Sequence, residues 1–360
     1  KKKYKKAVDA FNSVLGSSSD IELVLLENYY PAGDEFELVY DIAGRIIPEG
    51  GIPLHVGAVV TNVNTILNIY LAVRKNRPVT TRWVTVAGNL EEPYLAEAPL
   101  GMKIGELIKK AKPAAADYKI VEGGPMTGII ADENFRVTKL VGGVLVLPED
   151  CPVIVKKERT IQSWEKKGKS TCDQCFDCSI VCPRNLLGHE LEPHKMMRNL
   201  FIDPENSAVH MTNSYLCCNC GLCDMFACPL DLSPRVLLQE ASSQLTAEGI
   251  KSPHNRTECV PHPERDFRRV STDRLVARLD IEKYELHGNY NIKTIAAADV
   301  LISLKQHIGA PAEPAVKKGD KVKKGDLIAS VGEDRLGANI HASIDGTIKS
   351  VTKENINIKG

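Results

Sequence analysis

Helical and strand periodicities of apolar residues alternate along residues 1–80 of the chain. Three segments show the helical period, namely Lys2–Leu15, Glu35–Gly44 and Asn64–Lys75. Between these predicted helices, the apolar runs Ile21–Leu26 and Val56–Val60 predict two short strands. Residues 1–80 are therefore expected to form the C-terminal part of an α/β domain.

Residues 81–147 have a different pattern, in which short apolar strands flank a single helix. Trp83–Gly88 and Val141–Leu147 read as strands, and Lys103–Lys110 reads as a short amphipathic helix. The run Gly123–Met126 contains two Gly and a Pro and predicts a break in regular structure. This pattern favours a small β-grasp-like module.

From Leu301 onward the pattern is that of short strands punctuated by Gly-Asp and Asp-Gly turns. A small sandwich or barrel is expected there, of the kind that carries lipoyl or biotinyl groups. A carrier domain needs a modifiable Lys at a hairpin tip, and the corresponding segment Glu333–Gly337 has none. We predict the carrier-like fold without the attached group.

The cysteines are the most specific feature of the chain. Eight of the 11 fall into two runs, each followed by Pro: Cys172, Cys175, Cys178 and Cys182, then Cys217, Cys220, Cys223 and Cys228. The first run has the ferredoxin spacing C-x2-C-x2-C-x3-C-P, and the second has one additional residue before its last Cys. The alternatives are two zinc sites, which need only paired C-x2-C motifs, or a disulfide framework, which is typical of short secreted chains. The spacing favours two [4Fe–4S] clusters.

In two-cluster ferredoxins the fourth Cys of each run ligates the other cluster. The expected ligand sets are then Cys172, Cys175, Cys178 with Cys228, and Cys217, Cys220, Cys223 with Cys182. Cys218 is an alternative ligand to Cys217, although the spacing to Cys220 favours Cys217.

Charge and hydropathy restrict the class of partner. The chain has 46 basic and 46 acidic residues, so its balanced charge predicts no binding to nucleic acid. No apolar run approaches the roughly 20 residues of a transmembrane helix. This many thiols suits a reducing cytoplasm. Because the chain begins at Lys1 within a helical pattern and without Met, we expect further residues to precede it.

Two segments near the C-terminus carry a family resemblance. Gln306–Pro311 and His341–Gly346 resemble the barrel–sandwich hybrid module of the RnfC component of Rnf complexes. The position of this module after the cysteine runs is similar to that in the cobalamin reductases of propanediol-utilisation microcompartments, and so is Leu187–His194. That resemblance covers essentially the whole chain.

The N-terminal part resembles the flavin-binding subunit of respiratory complex I. Tyr30–Glu35 is similar to its Y-x-x-G-E-E loop, and Gly57–Thr65 to its G-V-V-V-N-N-V-E-T segment. Asp34 replaces the first acid of the loop, Thr61 replaces the first Asn, and the family's glycine-rich GGAGFP loop does not occur in the chain. The resemblance implies that FMN and a nicotinamide are bound by Gly33, Asp34, Glu35, Asn62 and Thr65. Residues 83–127 resemble the soluble-ligand-binding β-grasp module of that family.

Together these patterns predict a multi-domain protein of α/β and α+β character. The expected parts are a partial Rossmann-like FMN domain (1–80), a β-grasp module (81–147), a charged linker (148–170), a ferredoxin-like two-cluster domain (171–240), a connecting segment (241–296) and a barrel–sandwich hybrid (297–360).

The leading functional hypothesis is an oxidoreductase that passes electrons from NADH or NADPH through FMN and two [4Fe–4S] clusters to cob(II)alamin. Its protein partner would be a corrinoid adenosyltransferase, and its location the cytoplasm or a bacterial microcompartment. One alternative is an Rnf-type NADH-oxidising subunit of a larger complex or of a soluble reductase. Another is an electron relay without flavin. The sequence identifies no catalytic residue.

Overall fold

The computed structural model describes residues 1–16, 20–199, 210–285 and 290–360. Residues 286–289 of the predicted connecting segment lie outside this part of the chain. The chain divides into two compact units, each assembled from two separate segments. Residues 1–60 and 158–283 form the first unit, and residues 61–157 and 284–360 form the second.

The first unit is mainly helical. Its α-helices span Lys5–Leu15, Glu35–Ala43, Ile161–Thr171, Asp177–Ile180, Pro183–Leu186, Pro193–Asn199, Pro234–Ala247, Arg265–Arg268 and Thr272–Arg278. Short 3-10 helices lie at Pro53–Val56 and Asn213–Leu216, and Leu222–Ala227 forms a π-helical turn. Two short strands, β1 (Tyr29–Tyr30) and β7 (Val270–Ser271), pair antiparallel.

The apolar core of the first unit is built around two of the cysteines. Helices Pro193–Asn199 and Pro234–Ala247 bury Met196, Met197, Leu237 and Leu238 against each other. Cys182 and Cys228 belong to the same buried cluster. The two ends of the cysteine runs are therefore held in the most tightly packed part of this unit.

The second unit contains a six-stranded mixed sheet in the order β5-β4-β6-β2-β3-β8. Its strands are β2 (Thr81–Gly88), β3 (Tyr94–Pro99), β4 (Tyr118–Glu122), β5 (Ile129–Ala131), β6 (Gly143–Pro148) and β8 (Asn291–Thr294). β2 pairs antiparallel with β3 and parallel with β6, and β3 pairs parallel with β8. Helix Ile104–Ala111 buries its apolar stripe, and helix Pro152–Lys157 follows the sheet.

The remaining strands of the second unit form two smaller sheets. β11 (Lys321–Val322), β14 (Gly346–Val351), β15 (Asn355–Lys359) and β9 (Asp299–Ser303) follow one another in an antiparallel sheet. β10 (Glu313–Pro314), β12 (Leu327–Ser330) and β13 (Ile340–His341) form the other. The segment Glu333–Gly337 between β12 and β13 is exposed and contains no Lys.

One apolar core joins all three sheets of the second unit. It contains Val84, Val146, Ile302 and Ile358, each no more than 1% exposed. The two segments meet closely at Gly101, whose carbonyl accepts a hydrogen bond from Leu301 N at 2.9 Å. A side chain at Gly101 is excluded twice, because its φ is +85° and a Cβ would lie 2.8 Å from Leu301 O.

The structure confirms the predicted helices and contradicts two predicted strands. The helices Lys5–Leu15, Glu35–Ala43 and Val63–Lys75 coincide with the predicted segments. Ile21–Leu26 forms no strand, and Val56–Val60 is the end of a 3-10 helix followed by irregular chain. Because Val59 is 76% exposed, the prediction of a buried strand there is wrong.

The predicted charged linker, 148–170, is also largely helical, since it holds Pro152–Lys157 and most of Ile161–Thr171. Within the described residues, no helix has the length and apolarity needed to cross a bilayer.

Candidate cluster and flavin sites

Two cavities in the first unit are lined by the cysteines of both runs. Cys172, Cys175, Cys178 and Cys228 line the first cavity, which has an empty volume of about 330 Å³, part of it open to solvent. Cys182, Cys217, Cys220 and Cys223 line the second cavity, of about 300 Å³. Each cavity thus brings together three cysteines of one run and the last cysteine of the other. These are the two sets that the crossed ligation of ferredoxins predicts.

Local backbone geometry turns the cysteines toward the cavities. Gln174 and Phe176 in the first run have φ of +58° and +69°, and Asn219 and Gly221 in the second have +56° and +82°. Residues in this left-handed region reverse the chain direction within a few residues. Both runs therefore wrap tightly around an enclosed space.

The additional residue of the second run is accommodated by a π-turn. Between Cys178 and Cys182 the first run forms the short α-helix Asp177–Ile180. The equivalent part of the second run is the π-helical turn Leu222–Ala227. Because a π-turn holds one more residue than an α-turn, Cys228 still reaches the first cavity.

Hydrogen-bond donors point at several of the sulfur atoms. Leu232 N lies 3.3 Å from Cys228 Sγ, Asn219 N lies 3.4 Å from Cys217 Sγ, and Gln174 Nε2 lies 3.2 Å from Cys172 Sγ. Donors directed at sulfur stabilise the thiolate form and raise the potential of a cluster bound there.

Burial makes these cysteines poor thiolates on their own. Desolvation, then the charges of neighbouring cysteines, raise the pKa of Cys178 to about 12. Desolvation followed by Cys218 raises the pKa of Cys217 to about 11. A cationic group in the cavity has to offset four thiolate charges, and the irons of a cluster supply that charge.

A single metal ion fits the cavities less well than a cluster does. In the described ranges, no three Cys, His, Asp or Glu side chains converge on a point where one ion could bind. Sulfur atoms spread around a space of about 300 Å³ suit a cubane. The alternative of two tetrahedral zinc sites is therefore disfavoured by geometry as well as by spacing.

Cys218 also lines the second cavity, next to Cys217. A side-chain hydrogen bond with Cys220 lowers the pKa of Cys218. The cavity therefore contains five cysteines, and Cys218 stays an alternative to Cys217 as the fourth ligand.

The loop Tyr30–Glu35 lies beside the second cavity. Asp34 caps helix Glu35–Ala43 by accepting hydrogen bonds from Phe36 N at 3.1 Å and Glu37 N at 3.4 Å. Its two carboxylate oxygens also accept hydrogen bonds from Arg184, at 2.6 and 3.1 Å. Gly33 and Glu35 are exposed, and a Cβ built on Gly33 would meet no atom within 4 Å.

Asn62 and Thr65 belong to the second unit, where both are exposed at the start of helix Val63–Lys75. Asn62 is the N-cap of that helix, and its side-chain oxygen accepts a hydrogen bond from Asn64 N at 2.9 Å. Thr65 N donates to the Asn62 carbonyl at 2.9 Å. The predicted flavin residues thus fall into two groups, one in each unit.

Three residues of the first unit that sequence reasoning did not select surround the second cavity. Arg184 is buried beside Cys182 and stacks over the Phe36 ring at 3.7 Å. Arg235 lines the cavity and pairs with buried Asp224 at 3.0 Å. The position of Arg184 directly after the Cys-Pro pair was an available signal, but its partner Asp34 lies 150 residues away.

Comparison with known proteins divides the chain into three matched parts. The family model for the Nuo51 FMN-binding domain matches residues 1–71, that for the 4Fe-4S dicluster domain matches 171–233, and that for the RnfC barrel sandwich hybrid domain matches 282–359. These matches confirm the predicted cofactors, FMN and two [4Fe–4S] clusters, and the predicted C-terminal module.

Two relatives match nearly the whole chain. A cobalamin reductase PduS from Salmonella typhimurium strain LT2 is 34% identical, and one from Citrobacter freundii is 33% identical. Each alignment covers 99% of this chain and 79% of the relative. The RnfC-type component of an ion-translocating oxidoreductase complex from Pseudomonas aeruginosa is 32% identical over 51% of this chain and 23% of that component.

Among solved structures, an NAD+-reducing [NiFe]-hydrogenase in the H2-reduced state aligns with a TM-score of 0.36 and 16% identity. That alignment covers 72% of this chain and 52% of the hydrogenase chain.

Proposed function

The chain belongs to the family of cobalamin reductase PduS, and we propose that it passes electrons from a reduced nicotinamide through FMN and two [4Fe–4S] clusters to cob(II)alamin. The observation that carries this proposal is the pair of cavities, each lined by four cysteines of the two runs. A pair of adjacent cluster sites next to an FMN-binding domain is an arrangement for single-electron transfer. The protein's part is to set distances and potentials.

We assign the eight cysteines as cluster ligands in the two crossed sets. When bound, FMN supplies the conversion between two-electron hydride transfer and single-electron transfer. The buried thiols of Cys182 and Cys223 exclude water from the second cavity, whereas exposed Cys175 leaves the first cavity accessible from solvent.

The flavin residues play different parts in this proposal. The N-terminus of helix Val63–Lys75 presents free N–H groups beside Asn62 and Thr65, which suits the flavin phosphate. Gly33 leaves room for a ligand to approach the backbone. Because the carboxylate of Asp34 is already held by helix N–H groups and Arg184, we assign Asp34 to fixing the loop, with Glu35 facing the ligand.

A second candidate is a nicotinamide-oxidising component of a larger electron-transfer complex. The match to the RnfC barrel sandwich hybrid domain and the partial similarity to a component of an ion-translocating complex favour it. Proteins that copurify with the chain distinguish the two. A corrinoid adenosyltransferase, and location in a microcompartment, are expected for the first candidate.

The test is anaerobic purification followed by counts of iron, acid-labile sulfide and flavin per chain. About eight irons and eight sulfides are expected from two cubanes, together with one FMN. NADH should then bleach the flavin and drive reduction of cob(II)alamin in the same cuvette. Stoichiometric zinc without sulfide would exclude the clusters, and bleaching without corrinoid reduction would favour the second candidate.

A further inference from the structure

The flavin loop is attached to the wall of one cavity only. The phenol of Tyr30 donates a hydrogen bond to the backbone carbonyl of Cys220 at 2.7 Å. Arg184, two residues after Cys182, holds both oxygens of Asp34. Both contacts end on residues that hold or adjoin the second cavity, lined by Cys182, Cys217, Cys220 and Cys223.

Packing leads to the same wall. Tyr30 and Pro31 share a small pocket of about 230 Å³ with Pro183 and Leu222. Pro183 and Leu222 also line the second cavity. A single layer of side chains therefore separates the loop from this cavity.

The first cavity has a different environment. In the part of the chain that the structure describes, no hydrogen bond of Tyr30–Glu35 reaches a residue that lines it. Its loop carries exposed Cys175 and Phe176, the latter 50% exposed. By contrast, Cys182 and Cys223 of the second cavity are both 7% exposed.

We propose that electrons enter the pair of clusters at the second cavity and leave from the first, with Tyr30 and Arg184 as positioning residues for entry. The inference rests on the proposed function, in which Tyr30–Glu35 faces the flavin. Electron tunnelling slows steeply with distance, so the cluster whose wall touches the loop receives the electron. Each nicotinamide oxidised releases two electrons, which reduce two one-electron acceptors, and no bond to the protein is formed or broken.

The test uses the full chain, purified anaerobically with FMN, and two ligand variants. Cys175→Ala removes a ligand of the first cavity, and Cys223→Ala removes one of the second. Electron exchange between nicotinamide and the remaining cluster is followed by stopped-flow absorbance and freeze-quench EPR. It is measured in the downhill direction, with NADH added to oxidised protein or NAD+ added to dithionite-reduced protein.

The Cys175→Ala variant should exchange electrons with nicotinamide at the wild-type rate and lose transfer to the acceptor. In Cys223→Ala this exchange should be lost, although NADH still bleaches the flavin and dithionite still reduces the cluster. The reverse pattern, or equal rates in both variants, overturns the proposed order. Absence of flavin bleaching in the wild-type protein, by contrast, shows that the proposed function itself has failed.

A second pair of variants keeps both clusters, in case a ligand variant does not assemble. Tyr30→Phe removes the hydrogen bond to Cys220 and should slow flavin-to-cluster transfer by about tenfold, because small misplacements of a reacting pair are costly. Tyr215→Phe is the matched control, since Tyr215 also donates to a backbone carbonyl, that of Ile250 at 2.5 Å. Flavin content and the rate of flavin bleaching should be unchanged in both. Equal transfer rates in the two variants and the wild type would contradict entry past Tyr30.

Discussion

Arg184 illustrates how single residues connect the two halves of the first unit. Its guanidinium joins the end of the first cysteine run to the cap of helix Glu35–Ala43 through Asp34. The ion pair is almost buried, with side-chain exposures of 6% and 15%. Removing one partner of such a pair typically costs about 3–5 kcal/mol, since the other charge is left buried and unpaired. The loop and the cavity wall are therefore held as one structure.

The crossed assignment predicts that Cys182 serves the cluster of the second run. Cys182→Ser should alter the EPR signal that Cys220→Ser alters, and leave the signal that Cys175→Ser alters, because Cys182 lines the second cavity. Cys151→Ser is the matched control, as Cys151 is buried but lines neither cavity. A change confined to the signal sensitive to Cys175→Ser would show that each run binds its own cluster.

His189 predicts a loss of stability in mild acid. It is 2% exposed, its Nε2–H donates to Ile47 O at 2.9 Å, and burial lowers its pKa. The unfolded chain then binds a proton that the folded chain does not, so stability falls as pH drops below the ordinary pKa of about 6.5. Denaturant midpoints at pH 7.5 and 5.5 should differ less in His189→Gln than in the wild type. Exposed His55→Gln should leave that difference unchanged.

The cysteines could be predicted from the sequence because their spacing is local information. Arg184 and Tyr30 could not, since their partners lie 150 and 190 residues away along the chain. A single sequence gives no indication of which distant residues pack together. The chemistry of the cavities was thus readable, whereas the connection of one cavity to the flavin loop required the structure.

At the scale of elements, helices were predicted better than strands. Amphipathic repeats such as Glu35–Gly44 are long enough to define a period, and Asp34 supplies a recognisable N-cap. Ile21–Leu26 is an apolar run without a period, and short runs of this kind do not distinguish a strand from irregular chain. Its Ile21, Val24 and Leu25 are all more than 40% exposed, and no strand of the described chain pairs with it.

Helix Val63–Lys75 provides a test of flavin binding that separates the cap from the ligand. Asn62→Asp keeps a capping oxygen for Asn64 N but adds a negative charge where we place the flavin phosphate. FMN affinity, measured by fluorescence, should fall by more than about tenfold, which corresponds to 1.4 kcal/mol. Asn62→Ser, a neutral cap, is the control and should bind FMN more tightly than Asn62→Asp. Equal affinities would place the phosphate elsewhere.

Gly33→Val tests the other group of flavin residues. A Cβ at Gly33 meets no protein atom within 4 Å, so the substitution should leave folding and iron content unchanged. Its added methyl groups should still lower FMN or NADH affinity by occupying space that we assign to the ligand. Unchanged affinity for both would remove Gly33 from the site.

At the scale of the whole molecule, the second unit depends on residues that are distant in sequence. Ile302 is 1% exposed within the core shared by the three sheets, and Ile308 is fully exposed. Ile302→Ala should lower the free energy of unfolding by about 2–5 kcal/mol, whereas Ile308→Ala should have little effect. Thermal unfolding followed by circular dichroism measures both. Similar melting temperatures in the two variants would contradict a single shared core.

The division into units was the least predictable feature. The sequence indicated separate modules at 81–147 and 297–360, each with its own turns and strands. It contained no sign that β8 would extend the first module's sheet beside β3, about 200 residues earlier. Strand pairing depends on surfaces that exist only after folding, so a single sequence does not specify such partners.

The interleaving of the two units also sets an order of events during synthesis. All eight cluster cysteines lie in residues 158–283, between the two segments of the second unit. A ribosome therefore releases them while strands β8–β15 are still missing and the shared core is open. At about 5–20 residues per second, residues 284–360 take roughly 4–15 seconds to follow. Iron and sulfide can thus reach the nascent thiols before the other half of the chain has a complete sheet.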